Sequence, residues 1–233
     1  MAQTFFTADD AEKERIDAMG PELGRFYSLL VNECYVLHLQ WAEFKELFGT
    51  SPERIDVLNQ TAPDFFWMVQ DRLWEASLLH IARLTDAVST FGKKGKENVT
   101  LLALPPLVDP SILTTVKTLV DAAQHECEFA RDWRNRRIAH RDLELAQKRS
   151  AAPLASASVA CVKISLEAIA NALNAVELHY LGATVAFDWI ESARGATALL
   201  HYLEQGIEAE EKRGERLRSG KLLPKDVRPR RKS

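Results

Sequence analysis

Apolar residues recur along most of this chain at alternating steps of four and three, the spacing that gathers side chains on one helix face. Leu23, Tyr27, Leu30, Cys34, Leu37, Trp41, Phe44 and Phe48 form the first series and predict a long helix ended by Gly49. Ser51 and Pro52 supply an N-cap and a first-turn proline for a short connecting helix. Thr61 with Asp64 fits a capping box for a second long helix over Pro63–Phe91. Its apolar residues fall in two lines, Trp67, Trp74, Leu78, Ile81, Val88 and Phe66, Val69, Leu73, Ala76, as expected of a helix packed on more than one side.

The stretch from Gly92 to Asp109 is too rich in glycine, lysine and proline for a long helix, and is expected to be a functional or mobile loop. Asp109 and Pro110 restart a helix whose stripe is Ile112, Val116, Leu119, Ala123, Cys127 and Ala130. After a break at 150–153, the series Ala155, Val159, Val162, Leu166, Ile169, Leu173, Val176, Tyr180 predicts a fourth long helix stopping at Gly182. Asp188 and Glu191 then fit a capping box for a last helix facing inward through Ala196, Leu199, Leu200, Leu203 and Ile207. No stretch alternates as a strand does. The expected fold is all-α, an antiparallel bundle of four long helices plus one or two shorter ones, forming a single domain over 1–210.

Composition supports a folded chain: 46% of the 233 residues are hydrophobic and 27% charged. Three cysteines without a CxxC pair exclude a disulfide framework and a cysteine-rich zinc module, and they fit a reducing cytoplasm. No signal peptide and no apolar run of membrane-spanning length is expected. The net charge of −3 hides an asymmetry. From Glu211 on, 10 Lys/Arg face 3 Asp/Glu, leaving 20 against 30 in the preceding body. Residues 211–233 therefore form a basic C-terminal tail, either a solvated chain end or a contact for a polyanion.

Most chemical motifs are absent. GKKGK at 92–96 lacks the remainder of a phosphate loop, no GxGxxG or GxSxG occurs, and His125 with Cys127 point to different helix faces. Neither a metal site nor a bound cofactor is implied. Arg83 and Asp86, three apart in HIARLTD, suit a structural ion pair. RDWRNRRIAHRD (131–142) differs in gathering Arg131, Arg134, Arg136, Arg137 and Arg141 around His140. Arginine is favoured at a helix C-terminus, but five exceed that need. Guanidinium groups bind phosphate oxygens bidentately, and an imidazole exchanges protons near neutral pH, which is a minimal kit for cutting RNA without a metal.

Arg134, Asn135 and His140 read R-N-x-x-x-x-H, which resembles the R-x(4 to 6)-H signature of HEPN domains. IARLTD on the second long helix with WRNRRIAHRDL ending the third is similar to the abortive-infection (AbiU-like) branch of that superfamily. The resemblance implies an all-α homodimer that is a metal-independent endoribonuclease or an RNA-binding relative, acting in phage defence or as a toxin. A cognate antitoxin or neighbouring-gene product would then be a partner. It implies His140 as general acid/base, Arg134 as stabiliser of phosphorane charge and Asn135 as an orienting group. Arg131, Arg136, Arg137 and Arg141 would hold RNA phosphates, with Arg83 and Asp86 as structural support.

An unbroken helix leaves Arg134 and His140 about 120° apart around the axis and roughly 9 Å along it. Convergence requires a kink or helix end between them, the reach of arginine, or a partner subunit. Two other readings stand beside the nuclease. One is a non-catalytic interaction or scaffold protein whose arginines pair with Asp132, Asp142, Glu144 and carboxylates of neighbouring helices. The other is a small-molecule sensor lined by Trp41, Trp67, Trp74 and Trp133.

Overall fold

The structure is a computed structural model and describes residues 7–89, 96–138, 154–189 and 194–226. It is all-α, as the periodicity predicts; among the described residues the only extended pairing is an isolated antiparallel bridge between Ser89 and Glu97.

Helix α1 (Ala8–Met19) opens the described chain, and the apolar pattern did not announce it. Local capping makes it. The Thr7 hydroxyl accepts from the Asp10 amide at 3.2 Å while the Asp10 carboxylate accepts from the Thr7 amide at 3.0 Å. Pro21 then starts α2 (Pro21–Phe48). Gly24 lets the two helices approach closely, because a Cβ there would lie 2.6 Å from the Ile16 Cα.

Helix α3 (Pro52–Thr61) has the expected Ser51 cap. Thr61 does not cap the next helix: its hydroxyl donates back to the Val57 and Leu58 carbonyls at 3.0 and 3.1 Å, so it finishes α3. Helix α4 runs Pro63–Leu84 and ends before the expected Phe91, which itself lies outside the described residues. Trp67 is 70% exposed and Val88 42% exposed, although both were expected on an inward line. Val88 lies past the end of the helix at Leu84. Phe66 is buried instead.

The stretch from 96 to 109 is packed. Leu101 and Leu104 are fully buried on short 3-10 turns at Leu101–Ala103 and Pro105–Leu107. Helix α5 (Leu113–Glu126) follows, and the chain breaks at buried Cys127 before α6 (Glu128–Trp133). The third expected helix is thus two pieces, continued by a π-helical turn at Arg134–Ile138. Helix α7 (Val159–Leu181) is capped by Ser158 and closed by Gly182 at φ 65°.

By length and hydropathy α7 reaches the measure of a membrane span, a correction to the expectation that no stretch does. Here it is a core helix. Val162, Ile169, Leu173 and Val176 are fully buried, α5 and α1 pack on it, and Glu177 meets Arg15 in the interior. The Arg15 guanidinium donates to Glu177 through Nε at 3.2 Å and Nη2 at 2.9 Å and lies over the Tyr27 ring. Tyr27 donates its hydroxyl to the Leu173 carbonyl; burial, reinforced by Glu177, pushes its pKa upward.

Helix α8 is Ala196–Ser219. The expected cap by Asp188 and Glu191 is not its start: Asp188 sits in a separate turn at Phe187–Trp189, and Glu191 lies outside the described residues. Glu43 of α2 accepts from the Ala196 amide, so a carboxylate from another helix does the capping, and the Thr197 hydroxyl donates to Glu46 at 3.1 Å beside it. The helix carries the basic stretch beyond residue 210 up to Ser219. Lys212 pairs with Glu208, and Arg216 grips Asp226 through two bonds of 2.8 and 2.7 Å.

The chain divides into two compact units, Met1–Trp41 with Leu73–Ile190, and Ala42–Arg72 with Glu191–Ser233. The first holds α1, α5, α6 and α7 with the start of α2 and the end of α4. In the second, α3 packs on α8. The arginine cluster belongs to the first unit.

Candidate functional site

The HIARLTD and WRNRR motifs meet in space. At the end of α4, the Thr85 hydroxyl donates back to the Ile81 carbonyl at 3.2 Å. The Thr100 hydroxyl reaches the Leu84 and Asp86 carbonyls at 3.0 and 2.8 Å, serving acceptors that a helix C-terminus leaves unpaired. This holds Thr85 and Asp86 toward α6. Arg131 donates from Nη2 to the Thr85 carbonyl at 2.8 Å, and the Arg134 Nη1 donates to the Asp86 carboxylate. Arg134 Nε also donates to the Asn135 side-chain oxygen at 3.0 Å. Among the described residues, Arg134 Nη2 makes no hydrogen bond, and the side chain is 20% exposed.

Arg134 opens the π turn. Such turns widen the backbone ladder and bend helices, and they recur at functional sites. The unbroken helix that would separate Arg134 from His140 is therefore not what the chain forms over 134–138. His140 and Arg141 lie outside the described residues.

The other cations are engaged locally. Arg136 pairs with Asp132 at 3.5 Å. Arg137 lies with its guanidinium carbon 5.3 Å from the Trp133 ring centre and its Nε 3.5 Å from Glu75 Oε1, and remains 47% exposed. Trp133 and Asp132 together grip one residue, Ala155: the indole N–H donates to its carbonyl and the carboxylate accepts from its amide, each at 2.8 Å. That grip removes Ala155 from α7, which starts at Val159 rather than at the first residue of the apolar series.

Arg83 and Asp86 do not form the intrahelical pair that their spacing suggested. Arg83 turns to Glu33 of α2 at 3.3 Å, where His80 also binds at 2.8 Å, while Asp86 takes Arg134. Burial lowers the His80 pKa, and Glu33 opposes that only in part. Cys127, under the helix break, has its thiol pushed up to about 11 by burial and is no nucleophile at neutral pH. The tryptophans do not line one pocket: Trp41 is buried against Trp74, Trp67 is exposed, and Trp133 serves Ala155 and Arg137.

Sequence reasoning missed Glu33, Glu75, Thr85 and Thr100. Only Thr85 left a signal, as the polar residue beside Asp86 at the end of an apolar stripe. Glu33 and Glu75 are ordinary helix-surface glutamates until the fold gives them arginines.

An all-α chain with an arginine-asparagine pair docked by an aspartate on a neighbouring helix end, and a histidine five positions beyond the asparagine, has the features of the HEPN class. The family model described as AbiU2 (HEPN_AbiU2) matches residues 20–196, and the chain belongs to that family, in the abortive-infection branch of the HEPN superfamily. No curated protein and no solved structure matches it.

Proposed function

We propose that this protein is a metal-independent HEPN endoribonuclease acting on RNA in phage defence. The observation that carries the reading is Arg134, held from two sides by Asp86 and Asn135 at the mouth of a π turn, with one donor edge uncommitted among the described residues. A guanidinium fixed in this way is preorganised to receive a phosphate oxygen, which is where charge grows as the RNA 2′-oxygen attacks phosphorus.

In this reading His140 takes the 2′-hydroxyl proton, and the 2′-oxygen bonds to phosphorus as the P–O5′ bond breaks. The departing 5′-oxygen takes a proton from water while the His140 imidazolium returns its own to solvent. The products are a 2′,3′-cyclic phosphate and a 5′-hydroxyl end. Asn135 orients Arg134, and Asp86 positions it without touching substrate. A homodimer would set two copies of the motif face to face across a two-fold axis. The test is cleavage of single-stranded RNA in EDTA, lost on His140→Ala.

A second reading, a non-catalytic interaction protein, draws on a specific observation: Arg134, Arg136 and Arg137 each contact a carboxylate, and Arg131 a carbonyl. Under that reading the wild-type protein leaves RNA intact.

A further inference from the structure

We infer that Trp133 and Arg137 form a stacking platform for one unpaired nucleobase, which makes the substrate single-stranded RNA at the position beside Arg134. The inference rests on the ribonuclease reading and adds a base-binding site to it.

Three observations on the same short segment carry it. First, the Arg137 guanidinium carbon lies 5.3 Å from the Trp133 ring centre, a cation–π contact that puts a cationic group and an indole side by side. Second, both groups are restrained. The indole N–H is bound to the Ala155 carbonyl at 2.8 Å, and Glu75 holds the guanidinium edge at 3.5 Å. Third, Arg137 remains 47% exposed although both neighbours restrain it. A restrained guanidinium beside an indole, with about half of its surface reachable by solvent, suits a base, because unpaired bases stack on aromatic rings and guanidinium planes.

Chemistry separates this role from phosphate binding. A single-point phosphate contact needs only the charge, which lysine supplies. A bidentate contact or a stack needs the guanidinium plane, which lysine lacks, and of these two only the stack depends on a base being present. Arg134 lies between Trp133 and Arg137 in sequence, with its own donor edge uncommitted among the described residues, so phosphate and adjacent base would be held by consecutive parts of one turn. Double-stranded RNA presents no free base face and would gain nothing from the platform.

The test is fluorescence anisotropy of the full chain with two labelled oligonucleotides of about 12 nucleotides, a length within the usual single-strand site sizes. One is oligoadenylate with 2′-O-methyl riboses, which block cleavage; the other has the same backbone without bases. Wild type should bind the adenine strand about tenfold more tightly than the abasic one. Arg137→Lys should lose about tenfold on the adenine strand, with its salt dependence and its abasic binding unchanged. The exposed position and retained charge should leave thermal unfolding in place. Equal affinity of Arg137→Lys and wild type for the adenine strand would overturn the platform while leaving RNA binding intact. Failure of wild type to bind either strand would overturn the ribonuclease reading, and the platform with it.

Discussion

The Arg134 guanidinium donates to the Asp86 carboxylate, joining the π turn to the end of α4 across 48 positions of sequence. This pair makes one site of the two motifs. Asp86→Asn keeps the shape and removes the charge. The account expects RNA cleavage to fall by about 10- to 100-fold, the usual cost of a displaced catalytic group. Stability should drop by about 1–2 kcal/mol, between surface and buried ion-pair values, since the side chains are 20% and 30% exposed. Urea unfolding alongside kcat/KM separates the two effects. Full activity in a destabilised variant would make the contact purely architectural.

His80 supplies a pH signature. Its pKa in the folded chain lies below the ordinary value of about 6.5, so on acidification the unfolded chain binds the proton first. Stability contributed by neutral His80 is complete above about pH 6.5 and is lost as pH falls through the lowered folded value. Chemical denaturation at several pH values should show this slope in wild type and its loss in His80→Gln.

In the first unit, Arg15 and Glu177 are each about nine-tenths buried. Glu177→Gln would strand a guanidinium in the core at a cost of about 3–5 kcal/mol, whereas the paired change Arg15→Met with Glu177→Leu should recover most of it. Equilibrium unfolding of the three chains checks both statements.

How much of this was legible in the sequence follows from which forces act locally. The α2 stripe from Leu23 to Phe44 is buried as its spacing predicts, because a helix with one apolar face has one way to hide it. Helix α1 escaped notice because Ala8–Met19 is mostly polar and owes its start to two side chains, Thr7 and Asp10. Trp67 shares a helix face with Leu78 and Ile81, but a stripe does not say which stretch of it the rest of the chain covers: Trp67 belongs to the second compact unit, the other two to the first. For the site, the arginine cluster was visible, and so were Asp86 and Asp132 as candidate carboxylates; which arginine each carboxylate takes was not. Glu33, Glu75 and Asp86 reach Arg83, Arg137 and Arg134 only after α2, α4 and α6 have packed. The π turn likewise has no compositional mark.

The basic end can be tested for a role in RNA binding. Residues 227–233 carry Arg228, Arg230, Arg231 and Lys232. If all four contact phosphates, deleting the segment should lower the slope of log affinity against log salt by about 3, at roughly 0.7 per single-strand contact. Deletion leaves Arg216 and Asp226 paired and α8 in place. An unchanged slope would show the segment to be solvated chain end.

The most direct measurement of the central claim is incubation of the purified chain with single-stranded RNA in EDTA, comparing wild type, His140→Ala and Arg134→Lys. The account predicts cleavage by wild type, undiminished by EDTA, that leaves cyclic phosphate ends. It predicts a loss of about 10²- to 10⁴-fold on removal of the imidazole. A marked loss should also follow replacement of the guanidinium fork by an ammonium. Intact RNA with the wild-type chain, or equal cleavage by wild type and His140→Ala, would contradict it.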